Sequence, residues 1–146
     1  MMKDDHFRYA TTIEVRWRDL DALGHVNNAV YLTYLEEARV HYMRELGLGF
    51  RSIDEVGIIF AEVTCTFLSP ILLSEQVTIR VRVAELGRSS FVFDYQMEGE
   101  DGRVVARARS VQVCYDYEAE RSIPIPERWR QLIIDYEPGL SEQQRG

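Results

Sequence analysis

The spacing of apolar residues changes along the chain, and each change marks an element. Over residues 9–17, Ile13, Val15 and Trp17 alternate with Glu14 and Arg16, the period of a half-buried strand. From Asn28 to Leu46 the spacing turns helical. Tyr31, Leu35, Ala38, Tyr42 and Leu46 fall on one stripe, widened by Leu32 and Met43. Asn27 or Asn28 can cap this helix and Gly47 can end it. Glu36, Glu37, Arg39, Arg44 and Glu45 are assigned to its polar side. Its first half is apolar almost all round, which predicts a helix wrapped by other structure.

After Gly47-Leu48-Gly49 the pattern is that of strands. Residues 58–67 are rich in β-branched and aromatic side chains and stop before Ser69-Pro70. Residues 76–86 set Val77, Ile79, Val81 and Val83 against Thr78, Arg80 and Arg82. A turn at Gly87-Arg88-Ser89 follows. Phe91, Phe93, Tyr95 and Met97 then alternate with Val92, Asp94, Gln96 and Glu98, the aromatic face reading as core. Glu100-Asp101-Gly102 signals a hairpin, residues 103–115 a long strand, and Pro124 and Pro126 break the ladder. Residues 126–134 suit a short helix with proline at its first position. The prediction is an α+β domain, one long helix against a largely antiparallel sheet of about five strands. It spans residues 1–146 as a single domain, with 1–8 and 137–146 as flexible ends. Unpaired sheet edges favour dimerisation through an edge strand.

Composition narrows the function. A chain of 146 residues can bury one sizeable core. The net charge of −7 opposes general binding to nucleic acid or anionic membranes, although a few local arginines can still hold a small anion. No segment reads as a membrane span or a targeting leader. Cys65 and Cys114 lie in apolar, strand-like surroundings without a local histidine. They read as buried thiols in a reducing, cytoplasmic compartment, a disulfide or a nucleophilic thiol being the alternative.

The candidate chemistry lies in the loop before the long helix. Asp19, Asp21, Gly24, His25, Asn27 and Asn28 crowd into it. The first amides of a helix lack intrahelical acceptors and carry the positive end of its dipole. A carbonyl placed there is polarised, and an aspartate beside it is ionised at neutral pH and available as nucleophile or base. A thioester suits so weak a nucleophile because its thiolate leaves readily. The competing readings are structural: Asp19 as a cap or Asx-turn residue, His25 as a loop histidine bonded to backbone or solvent, and the asparagines as caps. Asp19, Asp21, His25 and Glu37 lack the spacing of a metal site, and no metal is expected. Arg80, Arg82, Arg88, Arg103, Arg107 and Arg109 crowd the last three strands and their turns. They can converge on phosphates, or form ion pairs with Glu75, Glu85 and Asp94 on a solvated face. Arg88, in a glycine turn beside Ser89 and Ser90, is the best phosphate candidate.

The stretch from Asp19 through Asp21, Gly24-His25-Val26-Asn27-Asn28 and Tyr31 to Glu36-Glu37-Ala38-Arg39 resembles the signature of the 4-hydroxybenzoyl-CoA thioesterase family of the hotdog fold. Leu86-Gly87-Arg88-Ser89-Ser90-Phe91 is similar to a glycine-basic-serine turn of the same family. The resemblance covers residues 9–115. It implies hydrolysis of an acyl-CoA thioester, with no cofactor beyond the CoA of the substrate. It also implies a cleft between the subunits of a homodimer, or of a homotetramer built as a dimer of dimers. The catalytic carboxylate maps to Asp21 and the oxyanion amide to Asn28. Tyr31, Arg88, Ser89 and Ser90 map to substrate binding, and His25 to an orienting or proton-handling role. Plant-type acyl-ACP thioesterases, also similar here, carry a catalytic asparagine two residues before the histidine, where this chain has Leu23. An acyl-ACP thioesterase and a non-catalytic acyl-CoA-binding hotdog protein are the alternatives, and like charge opposes an acidic carrier protein.

Overall fold

The computed structural model describes residues 7–48 and 56–140. Its elements are β1 (Tyr9–Glu14), α1 (Asn28–Leu46), β2 (Gly57–Phe67), β3 (Gln76–Leu86), β4 (Ser90–Glu98), β5 (Val104–Asp116), the two-residue β6 (Arg121–Ser122) and α2 (Glu127–Tyr136). The sheet is antiparallel in the order β1-β3-β4-β5-β2, with β6 beside β5. Helix α1 lies along the inner face of this sheet, the hotdog arrangement.

The alternation along each strand decides which face the helix covers. Val77, Ile79, Val81, Val83, Phe91, Phe93, Tyr95 and Met97 turn inward and are buried. Tyr31, Tyr34, Leu35, Ala38, Tyr42 and Met43 of α1 meet them. Burying each large apolar side chain contributes about 1.5–3 kcal/mol, so this inner layer supplies most of the driving force. The outer face is charged, and there the ion-pair reading of the arginines holds. Arg82 pairs with Asp94 at 3.0 Å, Arg80 with Glu98 at 2.8 Å, and Arg109 with Glu85 at 3.0 Å.

The caps follow the expected chemistry. Asn27 Oδ1 accepts the Ala29 amide at 2.8 Å, and Gly47 ends α1 in the left-handed region at φ 77°. Both cysteines are free thiols, and burial pushes Cys114 up to about 11.

Four expectations need correction. Trp17 is 78% exposed, because β1 stops at Glu14 and a single 3-10 turn over Trp17–Asp19 rotates it outward. Pro126 caps α2 instead of occupying its first turn. Arg39 is buried, not on a polar side, since it lies one helical turn beyond Leu35 on the same face. Residues 137–140 are not a frayed end. Glu137 is buried and accepts hydrogen bonds from the Tyr42 hydroxyl and the Val83 amide, and Leu140 joins the core.

Candidate active site

The loop between β1 and α1 is held at both sides. Leu20 bridges to Val26, His25 bridges to Leu72, and the Val26 amide donates to Ile71 O at 2.9 Å. Gly24 makes the reversal possible with φ 83°, a conformation that L side chains rarely adopt.

The two loop aspartates take different roles. Asp19 is buried, and its Oδ2 accepts from the Tyr34 hydroxyl at 2.6 Å and the Arg16 amide at 3.0 Å. Burial pushes the Asp19 carboxyl up. The hydrogen bonds from Tyr34 and Arg16, with the Arg16 charge, outweigh that and hold it below its ordinary value. The Tyr34 hydroxyl is pushed up, first by burial and then by Asp19. Asp19 therefore anchors the loop, as the structural reading of it has it.

Asp21 is exposed. Its Oδ1 accepts the Leu23 amide at 2.9 Å and the His25 amide at 3.2 Å. These bonds hold the carboxylate against the backbone of its own loop. Asp21, His25, Asn28 and Tyr31 line one cavity of about 310 Å³, closed by Val26 and by Phe67, Leu68, Ser69 and Pro70 from the end of β2. Tyr31 donates to Ser69 O at 3.2 Å and meets Phe67 edge-on, ring centres 4.9 Å apart. Asn28 is the first residue of α1, after the Asn27 cap on the Ala29 amide, and its own amide has no intrahelical acceptor. A loop aspartate and the first residue of a helix thus line one concave site, and these are residue types able to polarise and attack a carbonyl. Among the described residues no cluster of histidine, cysteine, aspartate and glutamate could hold a metal ion.

Arg88, Ser89 and Ser90 are not in this cavity. The turn they form borders the Gly57 end of β2, since Ser90 pairs with Val113 and Gly57 with Tyr115. Asp21 borders the Phe67 end. The eleven residues of β2 separate the two by about 30 Å or more. The Arg88 side chain is exposed, and its carbonyl accepts the Ile125 amide at 2.9 Å.

A second cavity of about 400 Å³ lies between α1 and β2, lined by Leu32, Leu35, Glu36, Arg39, Phe60 and Glu62 among others. The sequence signal for Arg39 was its helical spacing from Asn28, Leu32 and Leu35, which its charge obscured.

Known proteins resemble the chain along most of its length. A family model described as Thioesterase-like superfamily matches residues 15–133. A Thermus thermophilus thioesterase, solved as a complex with coenzyme A and zinc, superposes with a TM-score of 0.80 at 36% identity, over 92% of this chain and 97% of that one. The long-chain acyl-CoA thioesterase FadM of Escherichia coli is 28% identical over 84% of this chain and 95% of its own length. The 1,4-dihydroxy-2-naphthoyl-CoA hydrolase of Synechococcus elongatus is 28% identical over 83% and 93%. With its hotdog sheet and a loop aspartate beside a helix start, the chain belongs to the thioesterase-like superfamily.

Proposed function

We propose that the protein is an acyl-CoA thioesterase, releasing a free acid and CoA, with Asp21 as its chemical residue. The observation that carries this is the cavity lined by both Asp21 and the first residue of α1, Asn28, in a chain of this superfamily. The thioester oxygen accepts from the Asn28 amide, which stabilises the negative charge of the tetrahedral intermediate. Asp21 then acts in one of two ways. As nucleophile it bonds to the carbonyl carbon and expels CoA thiolate, and water hydrolyses the resulting anhydride to regenerate the carboxylate. As base it takes a proton from a water that attacks the same carbon. His25 and Tyr31 frame the substrate.

Arg88, Ser89 and Ser90 hold the phosphates or pantetheine arm of CoA for the site of a second copy. If two β2 edges pair antiparallel about a twofold axis, the Arg88 turn of one copy comes beside the Asp21 loop of the other. Exposure of Phe60, Val63 and Phe67 along β2 supports that pairing. The net charge of −7 favours acyl-CoA over an acidic acyl carrier protein as substrate, and the free thiols fit a cytoplasmic setting. Among the described residues no helix is long and apolar enough to cross a membrane.

The test is thiol release from short, long and aromatic acyl-CoA thioesters by the wild type and Asp21→Asn. The wild type turns over at least one class, and the variant loses about 10²–10⁴ in turnover while still binding CoA. A fully active variant contradicts the assignment. Single turnover in ¹⁸O-water tests the nucleophilic route: label in the enzyme carboxylate requires an anhydride that water opened at the Asp21 carbonyl.

A further inference from the structure

We propose that Arg39 closes the far end of the acyl cavity and selects acyl groups whose distal end carries a carboxylate. This inference rests on the thioesterase reading above.

One stripe of α1 carries Asn28, Leu32, Leu35, Glu36 and Arg39, each three or four residues from the last or from the one before it. The inner face of β2 runs opposite, with Phe67 against Tyr31 at one end and Phe60 against Arg39 at the other. The Asp21 cavity and the second cavity share no lining residue, but they follow one another along this seam of α1 and β2. An acyl chain whose carbonyl lies at the Asn28 amide runs past Leu32, Leu35 and Val63 toward Arg39. The eleven helical steps from Asn28 to Arg39 span about 16 Å, and the arginine side chain leans back toward the helix start. A medium-length acyl chain reaches the guanidinium; an acetyl group does not.

Arg39 is only 8% exposed. A charge that deeply buried is ordinarily paired with a carboxylate. Here, among the described residues, its partners are the Tyr95 hydroxyl, 3.1 Å from Nη1, and the Phe60 ring, whose centre lies 3.5 Å from Cζ. Most of its N–H donors remain for a ligand. Glu36 and Glu62 also line the cavity, Glu36 at its exposed rim and Glu62 at an outward register position from which it acts on Arg109, and neither forms an ion pair with Arg39. Neither neutralises the guanidinium.

Arg39 is also preorganised. It donates to Tyr95 Oη, so the Tyr95 proton is committed to Ser110 Oγ at 2.6 Å. Ser110 in turn donates to Gln112 Oε1 at 2.5 Å, and Gln112 Nε2 donates to Phe91 O at 3.1 Å. This relay locks the tyrosine lone pair toward Arg39 and holds the guanidinium in place before any ligand arrives. A carboxylate is the group that matches a guanidinium fork in a site of low polarity.

The experiment compares kcat/KM for acyl-CoA pairs of matched length, one ending in methyl and one in carboxylate, across a length series. In the wild type the carboxylate form is favoured by at least about tenfold at medium length, with no such preference at the shortest lengths. In Arg39→Met the ratio at medium length shifts toward the methyl form by at least about tenfold. A wild type that hydrolyses both forms but favours methyl at every length overturns the Arg39 inference alone, whether or not the variant folds. A folded Arg39→Met with an unchanged ratio overturns it as well. Failure to hydrolyse any acyl-CoA overturns the thioesterase reading itself.

Discussion

Asp19 and Asp21 are two residues apart in one loop, yet only one is available for chemistry. The buried carboxylate is tied to Tyr34 and Arg16, and the exposed one accepts two backbone amides of its own loop and lines the cavity. Tyr34→Phe removes the short bond to Asp19 and is expected to cost about 1.5–3 kcal/mol, read from chemical denaturation, because a buried charged acceptor loses a donor. Asp19 was ambiguous in the sequence because its partner lies fifteen residues away on α1, where nothing local announces it. The place of Asp21 beside the start of α1 was legible, since its bonds to the Leu23 and His25 amides are all local. Arg39 was misread for the converse reason: residue type suggested solvent, whereas its place one turn beyond Leu35 decided burial.

Among the elements, the segment from Ser69 to Glu75 matters most to the site, because it supplies one wall of the reaction cavity. Arg103 clamps it, donating to Pro70 O at 2.6 Å, Ser69 Oγ at 3.1 Å and both oxygens of Glu75 at 2.8 and 3.0 Å. The hydrogen bond from Arg103, reinforced by the Leu72 and Glu100 amides, lowers the Glu75 carboxyl from 4.5 to about 2 against the cost of burial. A depressed carboxyl stabilises the fold above its unfolded value, and that contribution fades as pH falls through the folded one. Stability should therefore drop between pH 4.5 and about 2, and Glu75→Gln should flatten that limb in thermal melts taken across the range. The raised carboxyl of Glu137 works the other way, favouring the fold on its acid side, so the Glu75 variant isolates one slope. Periodicity fixed the limits of α1 and β3 to the residue, because both elements are long and strongly patterned. It missed the bulges after Phe60 and Val83 and the short β6, which depend on register between strands.

At the scale of the whole molecule, the Asp21 cavity and the Arg88 turn stand at opposite ends of one sheet. The sequence resemblance placed both motifs in one site, and a single chain cannot bring them together across the length of β2. Two copies related by a twofold axis can. The most direct test mixes two defective subunits, Asp21→Asn and Arg88→Ala, by co-expression or by unfolding and refolding together, and measures thiol release at subsaturating acyl-CoA. Each variant alone is impaired. In a mixed dimer one site unites Asp21 of one subunit with Arg88 of the other, so the mixture recovers about a quarter of wild-type activity. A mixture whose activity is only the average of its parents, with mixed dimers present, would contradict a site built from both copies.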